Sequence, residues 1–151
     1  MSGDADALLR RVQRLEEMEA ARNHLHRYAE TLDAPTPDAV AALFTPDGVL
    51  RTRRGDFAGR EAVAGFFRGA LAADAAEKRH FIVTPRTTWL EPGVVEIASY
   101  FLFTARGDGS SVLGWGTYLD RLRVEDGTAL FAYKTIDLHM GTDLATGWAR
   151  E

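Results

Sequence analysis
The chain has 151 residues, 46% of them apolar, and a net charge of −4, which suits one domain with a proper core and disfavours a nucleic-acid surface. The absence of cysteine excludes disulfides, thiolate metal sites and cysteine nucleophiles. No apolar run reaches membrane-span length and the N-terminus lacks a signal-peptide core, so a single cytoplasmic domain over residues 1–151 is expected.

Leu8 to Asp33 reads as one long helix, because Leu8, Val12, Leu15 and then Ala21, Leu25, Tyr28 and Leu32 recur at steps of three and four. Glu19 interrupts that stripe, so the first half is expected to cover less of the core; residues 1–7 are expected to be loose. Pro35 and Pro37 end the helix and leave Asp33 at its exit. Thr36-Pro37-Asp38 has the N-cap and first-turn proline of a short second helix, after which Val40, Leu43 and Phe44 are buried. Thr45 to Gly48 reads as a turn, Val49 to Arg53 as a strand, and Arg54-Gly55-Asp56 as the turn that follows it. A third helix covers Arg60 to Leu71, with Val63, Phe66, Phe67 and Leu71 on its buried edge.

From Lys78 the periodicity changes to two. Strands are predicted over Phe81–Leu90, Val94–Ala105, Ser111–Val124 and Leu130–Met140, joined by turns at Glu91-Pro92-Gly93, Arg106–Ser110 and Glu125-Asp126-Gly127. Residues 141–151 read as an irregular tail in which Trp148 offers a docking point. Helices first and antiparallel strands afterwards mean an α+β fold. A curved mixed or antiparallel sheet wrapped around the first helix would enclose a conical cavity. Strands apolar on both faces, as in Tyr100-Phe101-Leu102-Phe103, fit a pocket inside and a partner subunit outside.

The polar residues each admit two readings. Asp33 is a helix-terminal residue or a pocket acid; His80 is a polar residue at a strand entrance or a base; Tyr28 is a core tyrosine or a hydrogen-bond donor. Asp120 is either a pocket acid or a surface partner of Arg121 or Arg123, and Lys134 faces either the cavity or an interface. His24 lies one turn before Tyr28, within reach of the cavity. His24 and His26, two apart on a helix, point to different sides and cannot share a metal. Phe44, Tyr100, Phe103, Trp115 and Tyr118 are candidate cavity-lining residues; a one-residue slip in strand register inverts which of them face inward.

Tyr28–Asp33 followed by Ala41–Gly48, Phe57–Val63, and Tyr118–Leu122 with Asp126-Gly127 resemble SnoaL-like proteins of the nuclear transport factor 2-like superfamily, over about 120 residues from Leu15 to His139. The resemblance implies the cone-shaped α+β (cystatin-like) fold. It leaves the activity open among dehydratases, isomerases, dehydrochlorinases, hydrolases, cyclases and non-enzymes. Scytalone dehydratase, hexachlorocyclohexane dehydrochlorinase and the bile-acid 7α-dehydratases pair an aspartate at the end of the first helix with a histidine opening a later strand, and Asp33 and His80 stand in those positions. Tyr28 matches the tyrosine that precedes the aspartate in the bile-acid enzymes. Thr52 stands where ketosteroid isomerase has its base aspartate and where the dehydratases often have a second tyrosine, a departure in both cases.

The resemblance therefore implies a lyase of dehydratase type with His80 as base, Asp33 as its orienter and Tyr28 as donor. Such an enzyme needs no metal or cofactor. Its ligand would be a small apolar, aromatic or steroid- or polyketide-like molecule, and the chain would form a homodimer or homotrimer. A cyclase or isomerase, a ligand-binding protein, or a subunit resembling the small subunit of ring-hydroxylating oxygenases are the alternatives.

Overall fold
A computed structural model describes residues 2–72 and 76–149. Three helices, α1 (Ser2–Asp33), α2 (Pro37–Ala41) and α3 (Arg60–Ala72), pack with six strands: β1 (Phe44–Thr52), β2 (Gly55–Ala58), β3 (Glu77–Glu91), β4 (Val94–Gly107), β5 (Ser110–Glu125) and β6 (Thr128–Asp143). The strand order is β2-β1-β6-β5-β4-β3. Neighbours from β3 to β6 pair antiparallel, while β1 runs parallel to β6 and antiparallel to β2, so the curved sheet is mixed.

Four local features differ from the sequence expectation. Residues 2–7 are helical, continuous with the rest of α1. Thr45–Gly48 lies within β1 instead of forming a turn, and a register shift between Phe44 and Val49 absorbs it. Gly55–Ala58 forms a strand, β2, paired along β1. Residues 141–143 remain in β6, paired with β5, so the irregular tail begins later.

The two halves of α1 have different surroundings. Ala21, Leu25, Tyr28 and Leu32 are buried, whereas Leu8 and Leu15 are 59% and 65% exposed. The change comes near Glu17, where α1 is pinned to the β3–β4 end of the sheet. Its carboxylate accepts from Trp89 Nε1 at 2.7 Å, the Gly93 amide at 3.0 Å and Gln13 Nε2 at 2.8 Å. Burial opposes the Glu17 charge, but Gly93, Gln13 and Trp89 together hold its pKa below the usual value. Arg22 Nη2 donates to Thr87 Oγ1 at 3.2 Å farther along, so α1 runs antiparallel to β3 with contacts spaced along both.

Two bulges decide which residues face α1. In β3 the pairing with β4 shifts between Val83 and Arg86, where Thr84 adopts a φ of 49°. His80 and Ile82 precede the shift and Thr87 and Trp89 follow it, so the inward phase changes from even to odd numbers. In β6 the register shifts opposite Arg121 and Leu122; Ala129 and Phe131 are inward before it and Lys134 after it. A bulge adds one residue to one strand and so reverses the alternation beyond it.

Glycines in β5 make room for the aromatic wall of the sheet. Gly116 pairs with Phe101 and Gly114 with Phe103. A Cβ at Gly114 would collide with the Phe103 ring, and one at Gly116 with the Phe101 ring and the Asp137 carbonyl. Both phenyl rings therefore lie down over β5 backbone. Gly114→Ala is expected to push the Phe103 ring off its seat and lower stability by about 1–3 kcal/mol, the usual cost of overpacking, measurable by urea unfolding. Leu25→Ala, a large-to-small change in the core, should cost about 2–5 kcal/mol in the same experiment, and Leu8→Ala less than about 0.5 kcal/mol.

Candidate active site
α1 stops at Asp33, and Pro35 and Pro37 carry the chain away, which leaves the Asp33 carboxylate free to reach the first turn of β3. One oxygen, Oδ1, accepts from the His80 backbone N–H at 2.8 Å and lies 3.1 Å from His80 Nδ1. A carboxylate only accepts, so the ring hydrogen sits on Nδ1 and the Nε2 lone pair remains available. The His80 side chain is 11% exposed and Asp33 27%. Burial lowers the His80 pKa below its usual value, and the Asp33 hydrogen bond and charge only partly restore it; Lys78 adds to the depression. The ring is thus neutral at pH 7 and rests against Phe103, with centroids 5.9 Å apart.

His80 and Tyr28 line one cavity of about 320 Å³. Leu32 and Pro35 close its α1 end, Phe66, Phe67, Ala70 and Leu71 come from α3, and Phe101, Phe103, Tyr118, Ile136 and Leu138 form the sheet wall. The volume lies at the lower end of small-molecule sites. Tyr28 is fully buried, and its hydroxyl has no hydrogen-bond partner among the described residues. Burial raises its pKa well above the usual value, with Tyr118 and Asp120 adding to it, so Tyr28 is a neutral donor at any ordinary pH. An unpartnered buried hydroxyl carries the cost of a lost hydrogen bond unless a ligand supplies an acceptor.

The remaining sequence candidates fall into two groups. Phe103 and Tyr118 line the cavity together with His80 and Tyr28. Tyr100 and Trp115 do not: Tyr100 is 57% exposed on the outer face of the sheet, and Trp115 packs edge-on against Trp148 at 6.1 Å. The reason is parity, since residues three apart on a strand point to opposite faces, and Phe101 takes the place expected for Tyr100. Phe44 is buried against Phe131 instead of in the cavity wall. His24 also points away from the cavity; its Nε2 lies 2.9 Å from the Leu43 carbonyl oxygen and ties α1 to the segment after α2. Burial lowers the His24 pKa against the opposing effect of that bond.

Asp120 and Lys134 are both fully buried, and both Asp120 carboxylate oxygens accept from Lys134 Nζ at 3.0 Å. Neither surface reading of Asp120 nor an interface position for Lys134 holds. Only the inward phase of Tyr118, Asp120 and Leu122 in β5 hinted at it.

A larger groove of about 540 Å³ runs past Thr84, Arg86, Tyr100 and Thr117 but contains neither Asp33 nor His80. The cavity that joins apolar walls to a polarised histidine is the candidate site. Among the described residues no three histidine, aspartate or glutamate side chains gather as a metal-ligand cluster. None of the helices described is long and apolar enough to cross a membrane.

The SnoaL-like domain matches residues 13–133. No curated protein matches the chain by sequence. A hexachlorocyclohexane dehydrochlorinase (LinA) Type2 superposes with a TM-score of 0.78 at 17% identity, over 93% of this chain and 96% of that one. A putative scytalone dehydratase from Novosphingobium aromaticivorans gives 0.77 at 22% identity, over 87% and 89%. A Catenulispora acidiphila protein in complex with S-DNPA gives 0.69 at 26% identity, over 78% and 89%.

The depressed pKa of His80 has a checkable sign. In an NMR titration its ring should protonate below the ordinary value of 6.5, and Asp33→Asn should move that midpoint lower still, because it removes the carboxylate charge that raises it. His80 and His24 both bind a proton less readily folded than unfolded. Their contribution to stability is therefore complete above about pH 6.5 and is lost as the pH falls through the folded values, which urea unfolding at pH 7.5 and 5 would show.

Proposed function
The chain belongs to the SnoaL-like domain family, and from that membership and the Asp33–His80 contact we propose a cofactor-independent lyase of dehydratase type. The observation that carries the reading is a neutral, carboxylate-oriented histidine and a tyrosine with an unpartnered hydroxyl lining the same apolar cavity. Neighbours described as a putative scytalone dehydratase and a dehydrochlorinase support this reaction class.

The substrate is a small cyclic, aromatic or steroid- or polyketide-like molecule bearing a carbonyl and a hydroxyl one carbon removed from an acidic C–H. Tyr28 donates to the carbonyl and stabilises the negative charge that builds there as the C–H bond breaks. His80 Nε2 takes the proton, and Asp33 stabilises the imidazolium that results. The electron pair from the C–H bond becomes the new C=C bond as the C–O bond breaks. The imidazolium returns its proton to the departing hydroxide, so water leaves and the histidine is neutral again. Positioned acid–base catalysis of this kind contributes about 10²–10⁴ in rate. Isomerisation or ring closure would use the same base and donor but release no water. Product analysis on hydroxy-ketone substrates separates the three reactions, and binding without any turnover would indicate a ligand-binding protein.

His80→Ala and Asp33→Asn are expected to leave the circular dichroism spectrum unchanged and to lower turnover by at least about 10²-fold, the scale of a lost acid–base group. Tyr28→Phe, which keeps the ring, should lower it less. Full activity in either dyad variant would rule out the mechanism. The rate should fall on the acid side with a midpoint below 6.5, as His80 becomes protonated.

We further propose a homodimer or homotrimer assembled through the outer face of the sheet. Phe81, Val83, Tyr100 and Leu119 sit exposed on adjacent strands there, an unusual density of apolar groups for a free surface. Light scattering on the purified chain should give two or three times the monomer mass, and Tyr100→Glu with Leu119→Glu should reduce it to one.

A further inference from the structure
Beneath the cavity lies the fully buried Asp120–Lys134 pair, which the reaction above does not use. Buried ion pairs are poor stabilisers, because desolvation offsets their attraction, and apolar replacements of similar size are often as stable. This pair is also made by a bulge: the register shift in β6 sets Lys134 directly opposite Asp120 on the inward face. The arrangement calls for a role other than stability.

The surroundings of the ammonium supply one. Nζ donates to both Asp120 oxygens, at 3.0 Å each. Nζ also lies 4.2 Å from the ring centroid of Tyr28, 3.7 Å from that of Tyr118 and 4.6 Å from that of Phe131. The Tyr28 ring stands at 83° to both Tyr118 and Phe131. The cation thus occupies a corner between the Tyr28 ring and two rings nearly perpendicular to it, where rotating either tyrosine would withdraw a ring face from it. Both tyrosines line the cavity.

We propose that the Asp120–Lys134 pair is a positioning device that fixes the Tyr28 ring, and with it the direction of the unpartnered hydroxyl, through the ammonium held against its face. The inference rests on the reading of Tyr28 as the donor to a substrate oxygen. Asp120 anchors the ammonium, and Lys134 transmits that anchoring to the two phenols. Neither residue touches the substrate.

Lys134→Met alone strands a buried carboxylate and is expected to unfold, so the test replaces both partners, Asp120→Leu with Lys134→Met. Thermal melting should show this variant folded. The probes are 2-naphthol, which offers an oxygen to Tyr28, and naphthalene, which fills the same space without one. The double replacement should weaken 2-naphthol about tenfold, the worth of one hydrogen bond, and leave naphthalene unchanged. In a Tyr28→Phe background it should weaken 2-naphthol no further. Equal losses for both probes would mean that the pair only shapes the cavity. Additive losses with Tyr28→Phe would mean that it does not act through Tyr28. No loss for 2-naphthol when the pair is replaced with Tyr28 intact overturns the proposal. A crystal structure of the variant decides independently of any ligand: a Tyr28 hydroxyl that has moved supports the proposal, and one in its original place refutes it. If the unaltered protein bound neither probe, the apolar-site reading would fail while this structural comparison still decided the role of the pair.

Discussion
The line of contacts between α1 and β3 is the constraint on which the site depends. Glu17 binds the indole of Trp89 and the amide of Gly93, Arg22 reaches Thr87, and Asp33 holds both the backbone and the ring of His80. The helix rises about 24 Å between Glu17 and Asp33 at 1.5 Å per residue, and an extended strand covers about 30 Å between His80 and Trp89. Twist and the bulge at Thr84 shorten the strand, and both ends of the helix segment meet their partners on it. A helix fixed at only one end would leave the carboxylate free to swing away from the imidazole. Held at both ends, it makes the dyad part of the fold rather than a chance meeting of two loops.

That scaffold also explains the division of polar and apolar groups around the cavity. The sheet wall is aromatic because Gly114 and Gly116 allow Phe103 and Phe101 to lie over the β5 backbone, and the Phe101 ring stacks on Tyr118 at 4.3 Å. Polar side chains reach the cavity where α1 meets β3, at Lys78 and at His80 with Asp33 behind it, and from the last turns of α1, at Tyr28 with Tyr118 beside it. In such a site the histidine loses charge to burial and keeps its orientation through the carboxylate, while the tyrosine keeps its proton. The proposed base and donor are thereby set in the protonation states the proposed reaction requires before any ligand arrives.

Much of the fold was legible in residue order. The long α1, the short capped α2 and the four long strands follow from helical and strand periodicity and from Pro, Gly and Asp-Gly turns. The short β2 was not legible, since Gly55 and Asp56 carry turn chemistry and only pairing to β1 makes them a strand. Helicity at residues 2–7 was not legible because Ser2, Gly3, Asp4 and Asp6 are weak helix formers and the segment carries no apolar stripe. Of the site, Asp33, His80 and Tyr28 were marked by a resemblance and not by local pattern, each having an ordinary alternative. Phe101 was missed and Tyr100 chosen wrongly, because alternation supplies two faces without saying which is inward.

The sequence by itself determined where the helices and the four long strands lie, which turns join those strands, and that Asp33 stands at a helix exit. Those are consequences of local propensity, and neighbours along the chain suffice to set them. Only the tertiary structure decided which strand face is buried, because a single inserted residue reverses the alternation and nothing local announces it. The bulge in β6 turned Lys134 inward to meet Asp120. The contact between Asp33 and His80, 47 residues apart in the chain, was likewise decided by packing, where α1 lies along β3.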